Sequence, residues 1–127
     1  MAQRLILVGY SGGAAMAGVI IGKFPGLVNV AVLVACPCDI AAWRGRTGRW
    51  KSLSPSDFIG GIAAGTQVLA MTGQRDTNTF ERLARDYIAK LRARSIAAEF
   101  RQIPDANHDD TPSRPQTLSA IKELLKP

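Results

Sequence analysis

Leu5-Ile-Leu-Val-Gly-Tyr-Ser-Gly-Gly-Ala-Ala-Met-Ala-Gly-Val-Ile-Ile-Gly22 is the stretch on which the fold turns. Arg4 to Val8 is a short run rich in strand formers that ends at Gly9, and it reads as a buried strand. Ala14 to Ile21 is apolar on every side and built mostly of small residues. That composition suits a helix packed closely on a sheet, stopped near Gly22 with Pro25 beyond. Between the two, Gly9-Tyr-Ser-Gly-Gly13 matches G-x-S-x-G in the strand-to-helix context the motif requires. The same uncharged run after Arg4 has the letters of a signal peptide or membrane span. Its repeated glycines, with Tyr10 and Ser11 among them, fit strand, sharp turn and small-residue helix better.

The rest of the chain repeats this rhythm. Val28 to Val34 is a second, continuously apolar strand, as in a parallel sheet covered on both faces. Cys36 to Leu53 is irregular. Ser54-Pro55 reads as an N-cap with proline at the first helical position, opening a short helix through Ile62. Gln67 to Met71 is a third strand, followed by the loop Thr72-Gly-Gln-Arg-Asp76. Asn78 with Glu81 three residues on resembles a capping box, and Phe80, Leu83, Ala84, Tyr87, Ile88 and Leu91 recur at helical spacing. Ile96 to Ile103 is a fourth strand, Pro104 to Asp110 a polar loop, and Thr111-Pro112 the opening of a last helix buried through Leu118, Ile121, Leu124 and Leu125. Strand and helix alternate throughout, so the expected fold is a single α/β domain over residues 1–127. It has a parallel sheet of about four strands with flanking helices.

Three residues gather chemical meaning in that arrangement. Parallel strands put their carboxyl ends on one sheet edge, where open α/β sheets place their sites. Ser11 follows the first strand, Asp76 the third and His108, the sole histidine, the fourth. A serine hydroxyl needs a base to take its proton, an imidazole can take and return one, and a carboxylate behind the imidazole fixes its tautomer. The glycines at 9 and 13 are read as relieving crowding at a strained turn. The helix that follows aims its free N–H groups, above all that of Gly12, at a developing oxyanion. Tyr10, beside the serine, is expected to line the substrate pocket or to pack. Asp39, after the second strand, is the alternative acid, and Asp109 and Asp110 are expected to cap the last helix or to interact with its positive end. Glycine-rich strand-to-helix turns also cradle phosphates, but neither G-x-G-x-x-G nor G-x-x-x-x-G-K-[ST] is present here.

With the elbow, Ser54-Pro55, Gln67 to Asp76 and Asn107-His-Asp109 in view, the chain resembles the carboxyl-terminal half of the α/β-hydrolases. It looks most like the prolyl-oligopeptidase-like and dienelactone-hydrolase-like branches. The resemblance implies a serine hydrolase acting on an ester, thioester or amide, with Ser11, Asp76 and His108 as triad, Gly12 at the oxyanion hole and no cofactor or metal. It also implies that the family's earlier strands are missing, and with them the loop that supplies a second oxyanion donor. The first strand would then be an open edge inviting another chain. The alternative expectation is an impaired hydrolase-fold module, in which that edge forms a homodimer or takes a partner.

Composition limits other readings. Hydrophobic residues at 46% and charged residues at 20% describe a globular chain. The net charge of +6 permits anionic partners, but the arginines and lysines at 44–51 and along 82–94 are spread without interleaved aromatics, so a solvated surface is expected and nucleic acid and membranes are not. Trp43 and Trp50 are expected to anchor the irregular loop or face substrate. Cys36-Pro-Cys38 is too little for a disulfide scaffold or a zinc site, so free thiols and a reducing, cytoplasmic setting are expected.

Overall fold

A computed structural model of the protein describes residues 3–44 and 52–127. Trp50 and the basic positions 46, 49 and 51 lie outside the described residues. Four strands, β1 (Ile6–Tyr10), β2 (Val30–Val34), β3 (Gln67–Gly73) and β4 (Ala98–Ile103), form one sheet in the order β1-β2-β3-β4, parallel throughout. The helices are α1 (Gly12–Lys23), the short α2 (Ile40–Arg44), α3 (Glu81–Ala93) and α4 (Pro115–Leu125). The expected α/β architecture is therefore the observed one.

The sheet is covered on both faces. On one face, Ala14, Ala17 and Ile21 of α1 and Ala84, Tyr87 and Leu91 of α3 pack with Ala31, Leu33, Val68 and Ala70. On the other, Ala120, Ile121 and Leu124 of α4 pack on Val30, Val32, Leu69 and Met71. Every residue of β2 is buried, which explains its unbroken apolar run. By contrast β1 is an edge: only Gly9 of its five residues is buried, and Val8 is 46% exposed. The segment Arg4 to Val8 is thus not the buried strand its composition suggests but the open edge that the resemblance implies: β2 covers one side of it and the described residues put nothing on the other. Leu5 and Ser11 bond to β2 through their backbones, so by the parallel alternation Ile6, Val8 and Tyr10 turn theirs to the open side.

Periodicity failed in part: Leu118 and Leu125, expected on the buried face of α4, are exposed while Thr117 and Ala120 are buried, because the helix packs on a face turned from the one the leucines mark, and Phe80 lies exposed before α3 begins. Local signals failed too. Residues 55–61 form a 3-10 helix, and Ser54 does not cap it, because its Oγ accepts the N–H of Ile40 instead and so ties α2 to this segment. The Asn78–Glu81 capping box does not form: α3 starts after Phe80 without a side-chain cap, and Asn78 Oδ1 receives Trp43 Nε1–H and Arg44. Thr111 to Ser113 is a 3-10 turn, and α4 begins only at Pro115. Cys36 and Cys38 are joined by a disulfide across a buried turn at the end of β2, so the free thiols expected there are not found. Among the described residues no helix is long and apolar enough to cross a membrane.

The small residues of α1 are needed for contact. A Cβ at Gly18 would lie 2.7 Å from Pro55 Cβ, and one at Gly22 would collide with the carbonyl of Phe58. Gly22→Ala should therefore cost about 1–3 kcal/mol by overpacking. Urea unfolding is the measurement, and a midpoint unchanged from the parent would show that the α1 contact with Phe58 is looser than described.

Candidate active site

Ser11 sits where β1 ends and α1 begins, at φ 52° and ψ −114°. That backbone region is sparsely populated by non-glycine residues, and such strain persists only where the surroundings over-determine it. Here the Ser11 N–H bonds the Val34 carbonyl at 2.8 Å, while the Ser11 carbonyl accepts the N–H groups of Ala14 and Ala15 and starts the helix. Gly9 is required, since a Cβ there would run into the Gly13 backbone. The expected steric need for glycine at 13 is not found: a Cβ at Gly13 meets nothing within 4 Å, because the first turn of α1 points it outward. The leading N–H groups of a helix have no carbonyl partner inside it, and Gly12 is the first residue of α1.

His108 reaches the serine from the far side of the sheet. Its Nε2 lies 3.0 Å from Ser11 Oγ, and its Nδ1 lies 2.9 Å from Asp76 Oδ2. With Nδ1–H donating to the carboxylate, Nε2 is left as the acceptor for the Ser11 hydroxyl. The Asp76 side chain is fully buried and the His108 side chain is 15% exposed. All three sequence-predicted residues thus come together, joined in the order serine, imidazole, carboxylate.

The carboxylate is held by more than the histidine. Asp76 Oδ1 accepts the backbone N–H groups of Asn78 and Thr79 at 2.9 and 2.7 Å, and Oδ2 accepts the Thr79 hydroxyl at 2.8 Å. Four donors therefore meet the two oxygens, and a buried carboxylate needs such saturation. Thr79 Oγ1 also stands 3.1 Å from His108 Nδ1, touching both partners. Sequence reasoning missed Thr79. The signal was an aspartate followed by polar residues two and three positions on, the pattern of an Asx turn, which was instead credited to Asn78 as a cap.

The histidine loop is anchored over the end of β3. The Arg75 N–H donates to the Ala106 carbonyl at 2.8 Å, and Gly73 is bare because a Cβ would strike that same carbonyl. Asn107 Oδ1 accepts the N–H groups of Asp109 and Asp110, and Asp110 Oδ1 returns the favour to the Asn107 N–H. Asp110 also pairs with Arg114, the residue at the head of α4, so it folds the loop at that end of the helix without capping it. Tyr10 donates its hydroxyl to the His108 carbonyl at 3.0 Å, and its ring lies 5.5 Å from the imidazole. Burial, then the charges of Asp109 and Asp76, push the Tyr10 phenol above its ordinary range, so it stays a donor. Asp39 is engaged elsewhere, accepting the Ala42 N–H, and it is Asp76 that stands behind His108.

This arrangement of parallel strands, serine turn and histidine loop decides the fold. It is the carboxyl-terminal half of the α/β-hydrolase fold. No protein-family model matches the chain, and no curated protein matches it by sequence. Solved α/β-hydrolase structures do match. A Klebsiella pneumoniae protein assigned as a dienelactone hydrolase superposes with a TM-score of 0.72 at 19% identity, over 98% of this chain and 51% of that one. Porphyromonas gingivalis dipeptidyl peptidase 4 gives 0.74 at 16% identity, over 94% of this chain and 19% of the other. Esterase PE8 gives 0.67 at 18% identity, over 94% and 48%. The chain therefore spans about half the length of the esterases it matches and about a fifth of the peptidase.

Within this α/β-hydrolase half-fold, Thr79→Val should remove one donor from the buried Asp76 and cost about 1.5–3 kcal/mol, the usual worth of a hydrogen bond to a charged group. Thr79→Ser should restore most of it. Chemical denaturation of the three proteins decides the matter, and equal midpoints would mean the hydroxyl does not hold the carboxylate.

Proposed function

We propose that the protein is a serine hydrolase of the α/β class, cleaving an ester, thioester or amide through an acyl-enzyme. The observation that carries this reading is the unbroken chain of contacts from Ser11 Oγ through His108 to Asp76, at 3.0 and 2.9 Å. In the first step His108 Nε2 takes the Ser11 proton as Oγ bonds to the substrate carbonyl carbon. The carbonyl electrons move to oxygen, and the Gly12 N–H at the head of α1 stabilises the resulting oxyanion. Asp76, accepting from Nδ1–H, holds the ring and stabilises the imidazolium. His108 then gives its proton to the leaving group as that bond breaks. Water, deprotonated by the same nitrogen, hydrolyses the acyl-serine and restores the enzyme. Tyr10, bonded to the histidine loop, borders the substrate and keeps the elbow and that loop in register. No cofactor or metal takes part in this reading.

A fluorophosphonate probe should label the protein at Ser11, as read by peptide mass spectrometry, and Ser11→Ala should abolish labelling. Folded protein that stays unlabelled under prolonged exposure would end the active-enzyme reading. Replacing Asp76 by Asn should lower the labelling rate by about 10⁴-fold, as when the wrong imidazole tautomer is left facing the serine.

A second reading is favoured by the open edge of β1, where Leu5 and Val8 are each 46% exposed. In it the strand pairs with a second copy or with a partner that extends the sheet. Sedimentation velocity should show concentration-dependent dimerisation that a proline at Val8, which removes an outward N–H, abolishes. A monomer at every concentration would remove the homodimer.

A further inference from the structure

Trp43 stands outside the triad, yet its indole is two hydrogen bonds away from the acid. Nε1–H donates to the Asn78 carbonyl at 3.0 Å and, at a longer 3.3 Å, to Asn78 Oδ1. That carbonyl belongs to the peptide unit joining Asn78 to Thr79. The N–H at the other end of the same unit is the Thr79 donor to Asp76 Oδ1, at 2.7 Å the shortest of the contacts on the carboxylate. A peptide unit is planar, so fixing the direction of its C=O fixes the direction of its N–H. Accepting a hydrogen bond at the carbonyl also polarises the unit and strengthens donation at its far end. The indole therefore aims and reinforces a bond to the carboxylate without touching it.

The segment that carries Trp43 is held well enough to do this. β2 and β3 are adjacent and parallel, with Val34 opposite Met71, so the chain leaves both at the same edge of the sheet. Trp43 follows on α2, whose five residues are too few to hold a helix by themselves. The neighbours supply the support. The Asp39 carbonyl accepts the Trp43 N–H, and Asp39 Oδ1 accepts that of Ala42. Ile40 is buried with its N–H on Ser54 Oγ, and the Ser56 N–H donates to the Cys38 carbonyl beside the disulfide. Arg44 lays its guanidinium 3.8 Å from the centre of the indole ring and reaches Asn78 Oδ1, so the ring is pressed on its face as well as bonded at its edge. Asn78 is exposed, so water can replace the indole as donor to its carbonyl at little cost in stability. Water does not replace the direction. Asp76 meets His108 through Oδ2 at 2.9 Å, and a carboxylate that turns lets the imidazole turn with it. We propose that Trp43 is a positioning residue: through the peptide between Asn78 and Thr79 it fixes the Asp76 carboxylate, and thereby the tautomer and direction of His108. The proposal rests on the serine hydrolase reading for its catalytic meaning, and on the hydrogen bonds alone for its geometry.

His108 is the sole histidine, so its ring gives a single NMR signature that needs no turnover. Its Nδ1–H, held against Asp76, should appear as one slowly exchanging proton downfield of the amides. Replacing Trp43 by benzothienylalanine, which keeps the shape of the indole and lacks only its N–H, should hasten that exchange about two- to tenfold, the opening that the loss of one hydrogen bond allows. Trp43→Phe should do at least as much, and fluorotryptophan, which retains the N–H, should restore the parent rate. Fluorophosphonate labelling of Ser11 should slow by a similar factor in the first two proteins and recover in the third. An unchanged His108 exchange rate in the benzothienyl protein, or a fluorotryptophan protein as impaired as Trp43→Phe, would overturn the proposal and leave the hydrolase standing. Slower labelling with His108 exchange unmoved would also overturn it, since Trp43 would then act on the substrate directly. Exchange hastened as expected in a protein whose Ser11 is never labelled would keep the positioning role and remove the hydrolase.

Discussion

The imidazole of His108 must cross the sheet to meet the serine. Ser11 follows the first strand in the sheet and His108 follows the fourth, so three inter-strand gaps of ~4.8 Å, roughly 14 Å, separate their strands. A loop spanning that distance would ordinarily be mobile and would hold no group to within a fraction of an ångström. Here it is laid across the end of β3 and fixed at both sides. Gly73 lets it approach, Arg75 binds its backbone, and Asn107 and Asp110 close it on themselves. Tyr10 then ties its tip to the elbow. The separation of the strands makes these contacts necessary, and they make the 3.0 Å contact between His108 and Ser11 possible.

Asp76 solves the electrostatic half of the same problem. It is buried under the histidine loop, where an unpaired carboxylate would be costly. Thr79 and the backbone of residues 78 and 79 satisfy the lone pairs that the imidazole does not. The acid is consequently fixed on its own loop and offers one defined direction to Nδ1. The loop after β2 joins this system from outside. Trp43 and Arg44 both bond Asn78, and the disulfide between Cys36 and Cys38 constrains the point where that loop leaves the sheet.

Periodicity and order were legible from the letters. The unbroken apolar run of β2 reports a strand buried on both faces, and the helical spacing of Leu83, Ala84, Tyr87, Ile88 and Leu91 gives the buried face of α3 as observed. Such patterns survive because burial acts on many residues together. Single-residue signals failed where a tertiary partner outbid the local one. Ser54 serves Ile40 and not its own helix, and Asn78 serves Trp43. Gly13 looked sterically obligatory from the motif alone, yet only Gly9 faces a neighbour that leaves no room. Cys36 and Cys38 were read as thiols because spacing says nothing about the turn that brings their sulfurs together.

The sequence by itself determined that four strands alternate with helices, and that Ser11, Asp76 and His108 follow strand ends in that order. A parallel sheet then had to put them on one edge, because every crossover returns the chain to the same end. Only the tertiary structure decided that they touch. Contact depends on the glycine that admits the histidine loop, the threonine that completes the carboxylate and the tyrosine that holds the tip. None of these has a periodicity to betray it, since each acts on a residue distant in the chain through the direction of a single side chain.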